Sequence, residues 1–231
     1  MKRFTLTSLT LAFLLLTLAA NADDHAGFQP IFDGESLDGW IGHEKFWRVE
    51  DGHIIGQTTK ENPTQGNTFL IWDEGEPNDF ELRFRYRIDS EWANSGVQVR
   101  SENLDDYRVG GYQPDIATEG WITGIHFEER GRGILARRGE KVVLAADGSK
   151  EVTRFANEDE LGKRINARDW NDYHVIARGD TIITKINGVK MHEVVDNAPQ
   201  ARQSGVIAFQ LHQGPPMTIR FADIKLKPIP Q

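Results

Sequence analysis

Apolar and polar residues alternate with a period of two in several segments of this chain. The clearest run extends from Phe80 to Ile88, where apolar side chains alternate with Glu and Arg. Successive side chains of a strand point to opposite faces, so this pattern predicts a strand with one buried face. Shorter runs of the same kind follow, separated by turn residues, and they leave little room for helix. The pattern predicts an all-β protein, an antiparallel β-sandwich or jelly roll.

Turn signals lie at the ends of several of these runs. Asn187-Gly188 and Asp51-Gly52 each separate two apolar runs, and such dipeptides supply the positive φ angles of tight hairpin turns. Residues 157–162 are the only segment with a helical pattern, and Asn157 can cap that short helix.

Four of the predicted strands carry polar residues of an unusual kind on one face. Solvent-exposed faces are usually rich in Lys, Glu and Thr, whereas these segments present Gln, Arg, Asp and His, which suit directional hydrogen bonding and proton transfer. Taken singly, each segment is also compatible with an ordinary solvated face. If they are neighbours in one sheet, we expect them to form a substrate site. The segments are 94–100, 111–115, 124–128 and 205–212.

The segment 125–130 determines which side chains should face this site. Ile125 and Phe127 alternate with His126 and Glu128. We expect the two apolar residues to be buried in the core, since a slip of one residue would turn both of them to water. His126 and Glu128 should then point into the site.

The N-terminal residues are typical of a secretory signal. Lys2 and Arg3 precede an apolar run, Leu9 to Leu18, which is followed by Ala20-Asn21-Ala22. This run is too short to span a membrane. We therefore expect a signal peptide over residues 1–22 with cleavage after Ala22, no membrane insertion after cleavage, and one periplasmic or secreted domain over residues 23–231.

Charge and cysteine content exclude several classes of function. The formal net charge is −8, and loss of Lys2 and Arg3 would make it more negative. Nucleic acids and anionic membrane surfaces both require a basic patch, so neither is expected as a partner. The chain contains no cysteine, which excludes disulfides, thiolate zinc sites and a cysteine nucleophile.

A series of short motifs in order along the chain carries a family resemblance. The motifs are Ile31-Phe32-Asp33-Gly34, Leu37-Asp38-Gly39-Trp40, Trp47-Arg48-Val49-Glu50-Asp51-Gly52, Asp79-Phe80-Glu81-Leu82, Asn94-Ser95-Gly96-Val97, Gly111-Tyr112-Gln113, Trp170-Asn171, Ile186-Asn187-Gly188 and Gln210-Leu211-His212. With these motifs the chain resembles the 3-keto-disaccharide hydrolase family over residues 28–227. The resemblance implies a jelly roll like that of concanavalin-type lectins and glucanases. It also implies that a small carbohydrate oxidised at C3 is cleaved, by hydrolysis or by elimination and hydration.

One position departs from the commonest pattern of that family. Many relatives carry Glu after the Gly-Tyr pair and an Asp a few residues later, whereas this chain has Gln113 and Asp115. The departure is typical of a subgroup, so the identity of the substrate stays open.

A ketone at C3 acidifies the C2 hydrogen, so cleavage by elimination needs a base, an acid for the leaving oxygen, and a group that stabilises the enolate. We expect His126 to be the base and Glu128 the acid. Arg100 or His212 could stabilise the enolate, and Asp115 could orient an imidazole or bind a metal. A divalent metal ion would suit a His, Asp and Glu set, but these residues follow no spaced ligand motif, so the sequence leaves a metal cofactor open.

The remaining site residues are expected to bind the sugar. Aromatic side chains beside the polar segments could stack on a pyranose ring, although core packing is the competing explanation. Amide, guanidinium and imidazole groups could bind hydroxyls. The expected substrate-binding residues are Gln98, Tyr112, Gln113, Trp121, Arg130, Gln210 and His212.

Two alternatives remain at this point. The first is a lectin-like module that binds carbohydrate without cleaving it, since fold alone does not determine function. Such a module needs amides and aromatics but no acid and base near one another in the pocket. The second is a retaining glucanase, which requires two carboxylates about 5 Å apart; the Glu-x-Asp-x-x-Glu pattern usual for that class on this fold does not occur in the sequence.

Overall fold

The structure is a computed structural model that describes residues 26–230. The predicted signal segment, residues 1–22, lies outside the described residues. No helix in the described part of the chain is long and apolar enough to cross a membrane.

Seventeen strands and one short helix follow one another along the described chain. In order they are β1 (Gln29–Pro30), β2 (Trp40–Ile41), β3 (Trp47–Glu50), β4 (His53–Gln57), β5 (Thr68–Trp72), β6 (Phe80–Ile88), β7 (Asn94–Leu104), β8 (Arg108–Ala117), β9 (His126–Glu129), β10 (Gly133–Ala136), β11 (Glu140–Leu144), β12 (Lys150–Arg154), α1 (Glu158–Gly162), β13 (Asn171–Arg178), β14 (Thr181–Ile186), β15 (Val189–Asp196), β16 (Val206–Leu211) and β17 (Thr218–Pro228).

The strands form two sheets. The ten-stranded sheet has the order β12-β11-β15-β14-β13-β6-β17-β4-β3, with β1 added beside β17, and the seven-stranded sheet has the order β10-β9-β8-β7-β16-β5-β2. The prediction of an antiparallel sandwich of the jelly-roll type is confirmed. One pairing departs from it, because β11 and β15 run parallel.

A hydrophobic core fills the space between the two sheets. Phe84 and Phe221 of the ten-stranded sheet contact Phe209 of the seven-stranded sheet, with ring centroids 5.1 Å apart for Phe84 and 3.9 Å apart for Phe221. The strictly alternating strand β6 buries its apolar face completely, as its sequence predicts. This core fixes which face of each central strand points inward.

The predicted turns and cap are also confirmed. Asn187 and Gly188 have φ angles of 50° and 77°, so both central residues of the β14–β15 turn adopt the left-handed conformation of a type I′ hairpin. The side chain of Asn157 accepts hydrogen bonds from the backbone N–H groups of Asp159 and Glu160 at the start of α1.

Candidate functional site

The four segments with unusual polar residues belong to neighbouring strands, as expected. Their strands β9, β8, β7 and β16 are consecutive in the seven-stranded sheet. Each of these strands has an inner face, which packs against the ten-stranded sheet, and an outer face, which points away from it. The candidate site lies on the outer face.

A cavity of about 400 Å³ opens on this outer face. Its volume lies within the range of about 300–1,000 Å³ that is typical of small-molecule sites. Five of the residues predicted for the site line it: Gln113, Asp115, Trp121, Arg130 and His212. The other lining residues were not predicted for the site, and Ile125 and Phe127 were expected in the core. They are Asn67, Asn94, Ile122, Ile125, Phe127, Glu129 and Ile134.

A chain of hydrogen bonds leads from the sheet interior to Asp115 at the floor of the cavity. The hydroxyl of Ser101 donates to Gln98 Oε1 at 2.6 Å, and Gln98 Nε2 donates to Gln113 Oε1 at 2.6 Å. Gln113 Nε2 then donates to Asp115 Oδ1 at 2.7 Å. All of these side chains are buried. Each donor points towards Asp115, so the chain fixes the orientation of both amides and of the carboxyl group.

Gly96 makes room for this arrangement. It is paired with Asp115 across β7 and β8. A Cβ atom at position 96 would lie 2.6 Å from Cγ of Gln113, much closer than real Cβ atoms approach their neighbours. Glycine is therefore required at this position for Gln113 to lie across β7 and reach Gln98.

The carboxyl group of Asp115 favours its neutral form. Burial raises the pKa of Asp115 well above its ordinary value, and the negative charge of Glu129 raises it further. The hydrogen bond from Gln113 opposes this shift but does not reverse it. A buried carboxylic acid in a cavity, with its pKa raised by burial, is an arrangement found in general acids.

Glu129 is the second carboxylate of the cavity. Its Oε1 accepts a hydrogen bond from Asn67 Nδ2 at 3.0 Å, and its Oε2 lies 3.5 Å from Gln210 Nε2. Gln210 is completely buried beneath the cavity. Glu129 was not predicted from the sequence, because the structure shifts the register of β9 by one residue from the expected one.

Arg130 brings a hydrogen-bond donor to the cavity, and His212 brings an acceptor. Arg130 is exposed, has a φ angle of 57° in the β9–β10 turn, and takes part in no hydrogen bond or ion pair within residues 26–230. His212 Nδ1 lies 2.6 Å from the carbonyl oxygen of Gln213, which acts only as an acceptor. The proton of a neutral His212 therefore lies on Nδ1, and its Nε2 is left as an acceptor.

The expected orientation of His126 and Glu128 is wrong. Phe127 is paired with Gln113, so the two side chains share the outer face, whereas His126 is paired with Pro114 and Glu128 with Tyr112 on the inner face. Phe127 and Glu129 line the cavity, and His126 is completely buried between the sheets.

His126 belongs to a buried histidine pair. Its Nδ1 lies 3.0 Å from His192 Nε2, and His192 Nδ1 lies 2.9 Å from the carbonyl oxygen of Gly124. Because that carbonyl only accepts, His192 donates through Nδ1, and its Nε2 accepts a hydrogen bond from the Nδ1–H group of His126. Burial lowers the pKa of His192 to about 4, and it lowers the pKa of His126 well below its ordinary value. Both rings are therefore neutral near pH 7.

Glu128 and Tyr112 belong to a network on the same inner face. Arg132 Nε donates to Glu128 Oε2 at 2.6 Å, and Arg132 Nη2 donates to Asp196 Oδ2 at 2.5 Å. The hydroxyl of Tyr112 donates to the same Asp196 oxygen at 2.6 Å. Glu128 and Tyr112 thus hold the β9–β10 turn against β15 and do not reach the cavity, so Tyr112 is not a sugar platform.

Arg100 is also directed away from the cavity. It has a φ angle of 47° at a bulge in β7, which takes it out of the regular alternation of that strand. Its guanidinium donates to the carbonyl oxygens of Asn78 and Gly179 at 2.8 and 2.6 Å and to Asp79 Oδ1 at 2.8 Å. Asn78 precedes β6 and Gly179 follows β13, so both carbonyls lie at one end of strands of the ten-stranded sheet. The expectation that Arg100 stabilises an enolate is therefore not supported.

The open question of a metal ion receives no support from the side chains. Among the described residues, no group of three or more His, Asp or Glu side chains is arranged to hold a metal ion. In particular, His126 and Glu128 are separated from Asp115 by the sheet itself, because they lie on its opposite face.

A neighbouring cavity of about 280 Å³ is a weaker candidate. Its charged lining residues are Glu91 and Arg168, which are both exposed and lie 3.9 Å apart. Neither belongs to the segments that the sequence pattern singled out. The cavity around Asp115 is therefore the candidate functional site.

Comparisons with solved structures support the fold. A candidate glycosyl hydrolase from Parabacteroides distasonis is similar with a TM-score of 0.59 at 18% identity, over 87% of this chain and 99% of the other. The carbohydrate-binding module CBM66 from Bacillus subtilis is similar with a TM-score of 0.54 at 13% identity, over 82% and 95% of the two chains. A galectin-like protein of unknown function from Bacillus subtilis gives 0.54 at 11% identity, over 87% and 94%.

The sequence comparisons address the family. No curated protein matches this chain. The family model described as the 3-keto-alpha-glucoside-1,2-lyase-like domain matches residues 27–227, which is nearly the whole of the described chain. The protein therefore belongs to the 3-keto-disaccharide hydrolase family, as its motifs indicated.

Proposed function

We propose that the protein is an exported enzyme that cleaves 3-keto-glycosides by removing the C2 proton and expelling the C1 substituent. The observation that carries this proposal is the pair of carboxyl groups in one cavity, Asp115 and Glu129. Burial and the charge of Glu129 raise the pKa of Asp115, which favours its acid form. A lectin-like module has no need for such a pair, because directional amides and aromatics suffice to bind a sugar.

The proposed reaction begins with elimination. Glu129 as carboxylate takes the C2 proton, and the electron pair of that C–H bond forms the enolate of the C3 ketone. The enolate then collapses, forming a C1–C2 double bond and breaking the bond from C1 to the leaving oxygen. Asp115 gives its proton to that oxygen. The products are a 1,2-unsaturated 3-keto sugar and the free alcohol.

Hydration would reverse the roles of the two carboxyl groups. Water adds to C1 while Asp115, now a carboxylate, accepts a proton from it. Glu129, now protonated, returns its proton to C2. The sum of the two steps is hydrolysis to a 3-keto sugar and an alcohol, and both side chains end in their starting forms.

Other lining residues can stabilise the enolate and bind the sugar. Arg130 is a cation without a protein partner in the described chain, so its guanidinium is available to the developing enolate oxygen. Nε2 of His212 and the side chains of Asn67 and Asn94 can bind sugar hydroxyls. Trp121, which is 48% exposed at the rim, offers a stacking surface for a pyranose ring.

The proposal includes the cellular location. Lys2, Arg3 and the following apolar run predict a cleavable signal, so the enzyme would act in the periplasm or outside the cell on small carbohydrates. Detection of the protein in the periplasmic or culture fraction, with an N-terminus at Asp23, tests this part.

Turnover of oxidised and unoxidised glycosides tests the reaction. The purified protein is incubated with 3-keto-glucosides and with their unoxidised parents, with and without a chelator, and products are followed by mass. We expect only the 3-keto compounds to be cleaved, because only the ketone makes the C2 hydrogen removable. Comparable cleavage of the parents would reject the enolate mechanism. Binding without any cleavage would favour the lectin-like alternative.

Variants of the two carboxyl groups test the assignment. We expect Asp115→Asn and Glu129→Gln each to lower kcat by about a hundredfold or more, the usual scale for losing a general acid or base. Glu151→Gln is the matched control, since Glu151 is exposed on β12 of the other sheet. Near-normal kcat in both cavity variants would refute the assignment.

A further inference from the structure

The cavity around Asp115 has two chemically different walls. One wall is polar and contains Asn67, Asn94 and His212, with Glu129 bonded to Asn67. The other wall consists of Ile122, Phe127 and Ile134, and Trp121 continues it to the rim. We propose that the apolar wall binds the leaving group, and that the natural substrates are 3-keto-glycosides of apolar alcohols or phenols. This inference rests on the proposed function.

The apolar wall is a continuous surface. Ile134 of β10 is paired directly with Phe127 of β9, so their side chains stand side by side on the outer face. Ile122 and Trp121 belong to the loop that joins β8 to β9. Ile122, Phe127 and Ile134 line the cavity and are only half-buried, so each presents apolar surface to it.

A backbone hydrogen bond links the loop of the apolar wall to the proposed acid. Ile125 borders the cavity, and its carbonyl oxygen accepts the backbone N–H of Asp115 at 3.1 Å. The loop that carries the apolar wall is therefore hydrogen-bonded to the residue that would protonate the leaving oxygen. The leaving group lies on the side of the acid, whereas the sugar hydroxyls lie against the polar wall.

The chemistry of the wall distinguishes an apolar leaving group from a second sugar. A sugar bears hydroxyl groups around its ring, and burial against Ile and Phe side chains would leave several of them without hydrogen-bond partners, which is costly. An aromatic or aliphatic group loses nothing there and gains from the removal of apolar surface from water. The aromatic rings of Phe127 and Trp121 also suit an aryl group.

A matched substrate set tests this inference without interference from leaving-group acidity. The 3-keto forms of methyl glucoside, benzyl glucoside and a disaccharide linked through a primary hydroxyl all release a primary alcohol. We expect kcat/KM for the benzyl compound to exceed that for the methyl compound and the disaccharide by tenfold or more. Equal or lower values for the benzyl compound, with the methyl compound turned over, would overturn the inference and leave the proposed function intact.

Variants of the wall test its location. We expect Ile134→Asn to lower kcat/KM for the benzyl compound by tenfold or more and so to remove most of the benzyl preference. Ile183→Asn, at a half-buried position on the outer side of β14, is the matched control and should keep the preference. An unchanged preference in Ile134→Asn and in Phe127→Asn would overturn the assignment to this wall.

Calorimetric binding separates the two proposals. If the protein cleaves none of the 3-keto-glycosides, the proposed function fails, but tighter binding of the benzyl than of the methyl compound would still support the apolar wall. Equal binding of both compounds would overturn the inference about the leaving group. Each outcome therefore decides one of the two claims.

Discussion

The buried ion pair of Arg100 allows a stability prediction in which burial is the main difference between variant and control. Arg100 and Asp79 lie 2.8 Å apart with side chains 1% and 13% exposed. Arg202 and Glu102 lie 2.5 Å apart with side chains 40% and 53% exposed. Both pairs join Arg to a carboxylate at short distance, so a difference between them reports the burial of Arg100 and its two additional carbonyl acceptors, not the ion-pair distance.

We expect Arg100→Met to lower the free energy of unfolding by about 3 kcal/mol or more, because removal of one partner of a buried pair typically costs about 3–5 kcal/mol. Two carbonyl oxygens, of Asn78 and Gly179, lose their donor in addition to Asp79. Arg202→Met should cost at most about 1 kcal/mol, as exposed pairs do. For a chain of this size, about 3 kcal/mol corresponds to a fall in Tm of about 6–12 °C.

Urea unfolding followed by tryptophan fluorescence and by circular dichroism measures both values. If Arg100→Met is too unstable to purify, Arg100→Lys provides a second measurement, because lysine keeps the charge but cannot donate to three acceptors in this geometry. The free energy of unfolding of Arg100→Lys should be lower than that of the wild type and of Arg202→Met, and higher than that of Arg100→Met. Equal losses in Arg100→Met and Arg202→Met would refute the structural role of Arg100.

The remaining predictions concern the site and its support. Gly96→Ala should lower both kcat, at least tenfold, and stability, since its Cβ would displace the buried Gln113 from its hydrogen bonds to Gln98 and Asp115; unchanged kinetics would contradict this. Asp115→Asn should raise stability at pH 7–8. The pKa of Asp115 is raised in the folded state, so wild-type stability falls as pH rises from about 4 through the folded pKa. Denaturation across this pH range measures the difference, and a less stable variant would contradict the prediction. The lowered pKa values of His126 and His192 make stability change with pH in the opposite direction. Stability should fall as pH drops from about 6.5 towards 4, and His192→Asn should flatten this slope, so an unchanged slope would count against the buried pair.

Strand β9 illustrates why the sequence could predict part of the site but not all of it. Three of its four residues are polar, so the strand fits two registers, with either His126 and Glu128 or Phe127 and Glu129 on the outer face. Apolar residues normally decide the register, because they are buried. Here the inner face instead supplies partners for polar groups, namely His192 for His126 and Arg132 for Glu128.

The sequence alone determined the all-β sandwich, the hairpin turns, the family, and the four segments that meet in one sheet. These depend on local periodicity, on turn chemistry and on motif order, all of which are written along the chain. It also identified Gln113, Asp115 and His212, because their strands alternate regularly. Only the tertiary structure decided the register of β9, the bulge that redirects Arg100, and the apolar wall formed by Ile122, Phe127 and Ile134. These features depend on partners that are distant in sequence. When both faces of a strand carry polar residues, alternation alone does not say which face contacts such partners.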